Sequence, residues 1–150
     1  HDFHKINIFR NGNLKSKTYI SVQEDYGSHD LALIFDWLKI NNEDIDRFSS
    51  GLLEFSWGIG TQSFFWKWDH SYSLSPMVWE IHLNSGEMIQ IDFYKKTIFR
   101  DGELIVEASK TKDNIECFVE TLFMVEHKDS QLNLAIGVEV KNFFYRFKEI

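Results

Sequence analysis

From Leu52 onward the apolar residues fall on every second position, segment after segment, and that rhythm restricts the middle of the chain to strands. Leu53, Phe55, Trp57 and Ile59 alternate with Glu54, Ser56, Gly58 and Gly60, so one strand face is apolar and the other is not. Gly60-Thr61-Gln62 interrupts the run. Ser63 to His70 resumes it, with Phe64, Trp66, Trp68 and His70 on one side and Phe65, Lys67 and Asp69 on the other. Ser71 to Pro76 reads as a loop. Met77, Trp79, Ile81 and Leu83 then alternate with Val78, Glu80 and His82, and after Asn84-Ser85-Gly86 the residues Glu87, Ile89, Ile91 and Phe93 alternate with Met88, Gln90, Asp92 and Tyr94. A three-residue loop sets Leu83 against Glu87, Ile81 against Ile89, Trp79 against Ile91 and Met77 against Phe93, gathering the apolar set on one face. Glu80, His82, Gln90, Asp92 and Tyr94 share the other. Lys96 to Arg100 and Glu103 to Glu107 predict a further hairpin about Asp101-Gly102.

The flanking segments are less uniform. Ile6 and Ile8, then Thr18, Ile20 and Val22, read as a hairpin around Asn11-Gly12. Ser28 is a fitting N-cap for a helix that places Leu31, Ile34, Phe35 and Leu38 at helical spacing and ends near Asn41-Asn42. A short helix capped by Asn42, with Ile45 and Phe48 inward, runs to Gly51. Ser109 or Thr111 caps another helix, in which Ile115, Phe118, Val119, Leu122 and Val125 keep the period. The chain closes with a helix from about Val138 to Glu149, while residues 131–137 fit either strand or helix. Six of ten positions match between Lys5 to Leu14 and Lys95 to Leu104, an echo that two hairpins with similar needs produce without duplication. A chain of 150 residues is one ordinary domain. The expected architecture is therefore a single α+β domain over residues 1–150. Its largely antiparallel sheet of hairpins lies between Leu52 and Glu107, and helices at Ser28 to Ile40 and Lys112 to Glu126 pack on one face.

Charge is distributed unevenly. The chain carries a net charge of −7, yet from Thr18 to Tyr94 twelve acids stand against only Lys39, Arg47 and Lys67, a balance of −9. Such a surface repels phosphate backbones and attracts basic partners, so direct nucleic-acid binding is not expected. All five tryptophans lie in the same stretch. Trp57 and Trp79 fall on inward strand positions, Trp37 lies off the apolar stripe of its helix, and Trp66 or Trp68 is a candidate half-exposed interface anchor. No apolar run approaches the roughly 20 residues of a membrane helix, and the N-terminus, which starts at His1, has no signal-peptide pattern. With one cysteine, Cys117, no internal disulfide can form, and a cytoplasmic location is expected.

Chemistry-bearing motifs are sparse. Glu80, His82 and Asp92 on one strand face make a candidate acid/base group, because a carboxylate beside an imidazole orients it and favours its charged form. The same residues also suit an ordinary solvated strand. Asp69, His70 and Tyr72 form a second mixed donor group beside a loop. His1 and His4 lack a third ligand, and His29, His70 and His127 are scattered, so neither a metal nor a cofactor is expected. Cys117, between Ile115 and Phe118, suits core packing. No glycine cluster has the spacing of a nucleotide loop.

The acids Glu43, Asp44 and Asp46 and the strand run Phe64-Phe65-Trp66-Lys67-Trp68-Asp69-His70 give the chain a character that resembles the small acidic immunity proteins of bacterial toxin systems, including contact-dependent growth inhibition. The resemblance spans the whole chain in type and rests on no diagnostic motif. It implies a cytosolic α+β protein with no turnover of its own, which binds a cognate basic nuclease domain and occludes its substrate groove. Its contact residues would be Glu43, Asp44, Asp46, Trp68, Asp69, Glu80, His82, Gln90, Asp92 and Tyr94. The alternative is a small-ligand-binding protein or enzyme that uses a polar sheet-lined pocket containing Glu80, His82 and Asp92.

Overall fold

The computed structural model describes residues 1–12, 19–68, 75–107 and 134–148. In chain order they form β1 (Phe3–Arg10), α1 (Tyr19–Leu38), a 3-10 turn (Asn42–Asp44), β2 (Arg47–Ser50), β3 (Glu54–Ile59), β4 (Gln62–Trp68), β5 (Met77–Leu83), β6 (Met88–Asp92), β7 (Thr97–Arg100), β8 (Glu103–Glu107) and α2 (Leu134–Lys148). The expected α+β class holds. Eight strands make one sheet in the order β2-β3-β4-β1-β5-β6-β7-β8. Neighbours run antiparallel except β1 and β4, which are parallel.

The β5–β6 hairpin has the register expected from its alternation: Trp79 opposes Ile91 and Ile81 opposes Ile89. Leu83 N donates to Glu87 O at 2.9 Å, and Gly86 supplies the positive φ of 90° that closes the three-residue loop. At Asp101-Gly102 both residues have positive φ, 48° and 85°, as the two-residue turn between β7 and β8 requires. β1 departs from expectation. Tyr19 to Val22 are helical and do not pair with it; it lies between β4 and β5, where Ile6 and Ile8 are fully buried at the middle of the sheet. β8 ends the sheet with all five residues exposed, Leu104, Ile105 and Val106 among them.

α1 takes up Tyr19 to Val22, within the expected strand, and begins before the expected helix start at Ser28. Leu31, Ile34, Phe35 and Leu38 are buried on one helical stripe and Val22 is buried on another side of the helix, and this burial overrides the β preference of the branched residues. Gly27 allows the contact. A Cβ there would stand 3.0 Å from the Phe55 ring, so the close approach offsets the roughly 1 kcal/mol that glycine costs inside a helix. Ser28 Oγ donates back to Asp25 O at 3.0 Å, a bond made within the helix and not at its cap.

Asp30 fastens α1 to the sheet. Its carboxylate is 0% exposed and accepts from Arg10 Nε at 2.8 Å, Arg10 Nη2 at 3.1 Å, Trp66 Nε1 at 2.9 Å and Trp79 Nε1 at 3.4 Å. Those donors come from β1, β4 and β5. The short helix expected to run to Gly51 is only the 3-10 turn, in which Asn41 N donates to Asp44 Oδ2 at 2.7 Å. Phe48 belongs to β2, where it continues the apolar layer by packing on Phe143 with ring centroids 5.5 Å apart. α2 begins at Leu134, four residues before the expected Val138. It buries Phe143 among Phe35, Phe55 and Trp57, and Asn42 Nδ2 donates to Glu139 Oε2 at 2.9 Å. α1 and α2 thus cover one sheet face, while the expected helix at Lys112 to Glu126 lies outside the described residues. Among the described residues, no helix is long and apolar enough to cross a membrane.

Candidate functional site

The helices occupy the face that carries Ile6, Ile8, Trp57, Trp66 and Trp79, so the alternate residues point away from them. Strand pairing aligns these into two lateral rows. One runs Arg47, Gly58, Ser63, Lys5, His82 and Met88 from β2 to β6; the other runs Ser49, Ser56, Phe65, Asn7, Glu80, Gln90 and Phe99 from β2 to β7. The rows converge on one cluster. Asn7 Nδ2 donates to Glu80 Oε2 at 3.4 Å and lies 3.3 Å from His82 Nε2, while Glu80 Oε2 and His82 Nε2 are 3.9 Å apart. The Glu80 and His82 side chains are 15% and 31% exposed, sheltered yet reachable. The His4 ring centroid lies 6.2 Å from that of His82.

An amide nitrogen donates and cannot accept. With Asn7 oriented as found, His82 Nε2 is the acceptor, which puts the proton of the neutral ring on Nδ1. The arrangement can therefore take up a proton at Nε2, with Glu80 placed to stabilise the resulting cation.

Of the expected acid/base group, Glu80 and His82 come together and Asp92 does not join them. Asp92 is buried, accepts Tyr94 N at 3.1 Å and Lys95 N at 2.9 Å, and receives the Ser75 hydroxyl. It holds the turn after β6. Gln90 stands opposite Glu80 on β6 and is half-buried. Tyr94 is exposed in the turn beyond the strand.

The acids do not form one face. Glu43 and Asp44 lie in the exposed 3-10 turn, and Asp46 accepts Gly60 N at 2.8 Å beside β2. Glu80 sits on β5, four strands from β2 and about 19 Å away at sheet spacing. Trp66 and Trp68 are core residues at 0% and 3% exposure, not interface anchors, because their strand face lies beneath the helices. Trp37 is 46% exposed, with its ring stacked on Phe3. Asp69, His70, Tyr72 and Cys117 lie outside the described residues. Among the described residues, no three His, Cys, Asp or Glu side chains gather as a metal site.

Asn7, His4 and Lys5 were not among the expected site residues. The alternation of Ile6 and Ile8 does put Asn7 on the polar face, but pairing β1 with Thr18 to Val22 kept it away from Glu80. Among the described residues, two concavities bear on the site. One of 480 Å³ lies between the helices, where Glu24, Ser28 and Ala32 face Val140, Lys141 and Phe144. The other, of 450 Å³, lies over β1 to β4.

No protein-family model and no curated protein matches the sequence. A solved structure described as that of "a putative oxidoreductase from Magnetospirillum magnetotacticum MS-1" is similar, with a TM-score of 0.65 at 9% identity, over 96% of this chain and 54% of that one. At this identity the likeness shows the fold alone, and the chain spans about half the length of its counterpart. A fold shared with a protein so described runs against two expectations: that the chain is an immunity protein directed at a basic toxin, drawn from its charge, and that it has no turnover of its own, drawn from the lack of an activated nucleophile, metal centre or cofactor loop in its sequence. The dispersal of its acids removes the single docking face on which that reading depended.

Proposed function

We propose that this domain binds a small polar ligand on the sheet face opposite α1 and α2 and that His82 exchanges a proton with it. The observation that carries the reading is the convergence of Asn7, Glu80 and His82 from β1 and β5 onto a sheltered point. His82 Nε2 takes the proton, and the Glu80 carboxylate 3.9 Å away stabilises the imidazolium. The description of the fold neighbour supports an enzymatic role over a protein-neutralising one. Asp92 is left out of the reacting group. A single cysteine, unable to pair within the chain, fits a reducing compartment, and the cytoplasm is the proposed location.

A fragment library screened by amide chemical-shift mapping on the whole chain tests the site. Perturbations should gather at Lys5, Asn7, Glu80, His82 and Gln90 and be lost in His82→Ala and Glu80→Gln variants of unchanged melting temperature. Ligands that perturb only the groove between α1 and α2 would overturn the proposal.

A further inference from the structure

The 450 Å³ concavity over β1 to β4 is lined by Lys5, Arg47, Ser49, Ser56 and Ser63 together with four aromatic residues, Phe65 among them. In a chain of net charge −7, this lining holds two cations and no carboxylate. Among the described residues, the Lys5 ammonium and the Ser49 and Ser56 hydroxyls make no hydrogen bond or ion pair within the chain. Ser63 Oγ donates to His4 O at 3.4 Å, a long bond that a better acceptor can replace.

Arg47 is held flat over the sheet. Its Nη1 donates to Gly60 O at 2.7 Å and its Nη2 to Gln62 O at 3.0 Å, and Asp46 approaches at 3.6 Å. The guanidinium lies where the side chain of residue 58 would be, and any Cβ at Gly58 would overlap it. A guanidinium has five N–H donors, so donors remain after these bonds. The missing side chain at Gly58 is what lets the guanidinium lie across the strand toward Ser63.

We infer that this concavity binds the phosphate of a small phosphomonoester, whose organic part extends over Phe65 and past Asn7 to His82. Lys5 and the Arg47 guanidinium, the latter shared with Asp46, supply positive charge to the phosphate, and the hydroxyl donors match its three terminal oxygens. Lys5 is the cross-strand partner of both Ser63 and His82, so the anion pocket and the imidazole adjoin across one strand. The inference rests on the reading of His82 as the reacting group and names the substrate class for it.

Isothermal titration of the full chain with inorganic phosphate, phenyl phosphate and benzoate tests the assignment. Phenyl phosphate should bind more tightly than inorganic phosphate, since Phe65 adds apolar contact, and both more tightly than benzoate. Lys5→Gln should weaken phenyl phosphate by about tenfold or more and Ser56→Ala by about threefold or more, while Lys5→Arg restores most of the affinity. Both positions are partly exposed, and an unchanged melting temperature establishes that the variants fold. His82→Ala should leave inorganic phosphate within about twofold of the parent, because Lys5 and the serines hold it. No binding of either phosphate, equal affinity in Lys5→Gln and the parent, or benzoate binding as tightly as phenyl phosphate would overturn the inference. If the phosphates fail while other ligands still perturb Asn7, Glu80 and His82, only the substrate class falls; if they bind and His82→Ala changes no ligand response, the proton-transfer reading falls instead.

Discussion

Replacing Asp30 with alanine should be among the most damaging single substitutions in this chain, and its cost follows from what the carboxylate holds. The change leaves the Arg10 guanidinium, 14% exposed, without its counter-ion, and deprives two indole N–H groups of their acceptor. Removing one partner of a buried ion pair costs about 3–5 kcal/mol, against a total stability of about 5–15 kcal/mol for an ordinary domain. With a urea dependence of about 2 kcal/mol per molar, the unfolding midpoint should fall by about 1.5–2.5 M. The companion measurement is the double variant Asp30→Leu, Arg10→Met. Removing both charges together should recover much of the loss, because no ion is then left buried. Circular dichroism at increasing urea gives both midpoints, and an unchanged slope establishes that the transitions are comparable. A shift below about 0.5 M in Asp30→Ala, or a double variant less stable than Asp30→Ala, would refute the assignment of Asp30 as the fastening of α1 to the sheet.

Phe143→Ala should cost about 3–5 kcal/mol in the same assay, since the ring fills the space among Phe35, Phe48, Phe55 and Trp57. Gly58→Ala should lower stability by about 1–3 kcal/mol by displacing the Arg47 guanidinium; an unchanged melting temperature would contradict the overlap described. At Glu87 a hydrogen bond from Ser85, then one from Arg100, holds the carboxyl below its ordinary value. The unfolded chain therefore binds this proton more readily, so the stabilisation is present above the ordinary Glu value and lost as pH falls through the lower native one. The melting-temperature gap between the parent and Glu87→Gln should accordingly be open at neutral pH and closed in strong acid.

The β5–β6 pairing could be read from the sequence because its determinants are local: alternation fixes the face, and Gly86 fixes the loop. α1 could be read only in part. Thr18, Ile20 and Val22 are branched residues at spacing two, and nothing local distinguishes that from a strand; Val22 becomes helical by burial against residues far along the chain. The Phe64, Trp66 and Trp68 alternation placed the three on one face, but Phe65 and Lys67 are mixed enough that which face lies inward depends on where the helices pack. The cluster was half legible. Glu80 and His82 follow from one strand, whereas Asn7 arrives through a β1–β5 pairing more than seventy residues apart in sequence. Asp92 carried a usable signal, since an aspartate just before a turn commonly accepts the amides two and three residues on.

The exposed edge at β8 bears on how the protein survives at high concentration. Among the described residues β8 is the last strand, and its exposed Leu104, Ile105 and Val106 have the composition from which intermolecular sheets grow. Glu103 and Glu107 bracket them. If two copies met edge to edge in antiparallel fashion about Ile105, each Glu103 would confront the other's Glu107, and like charges directly opposed disfavour the pairing. The two glutamates thus act as gatekeepers for the tripeptide between them. Their neutralisation, by acid or by substitution, would turn the last strand of the sheet from a boundary into a seed.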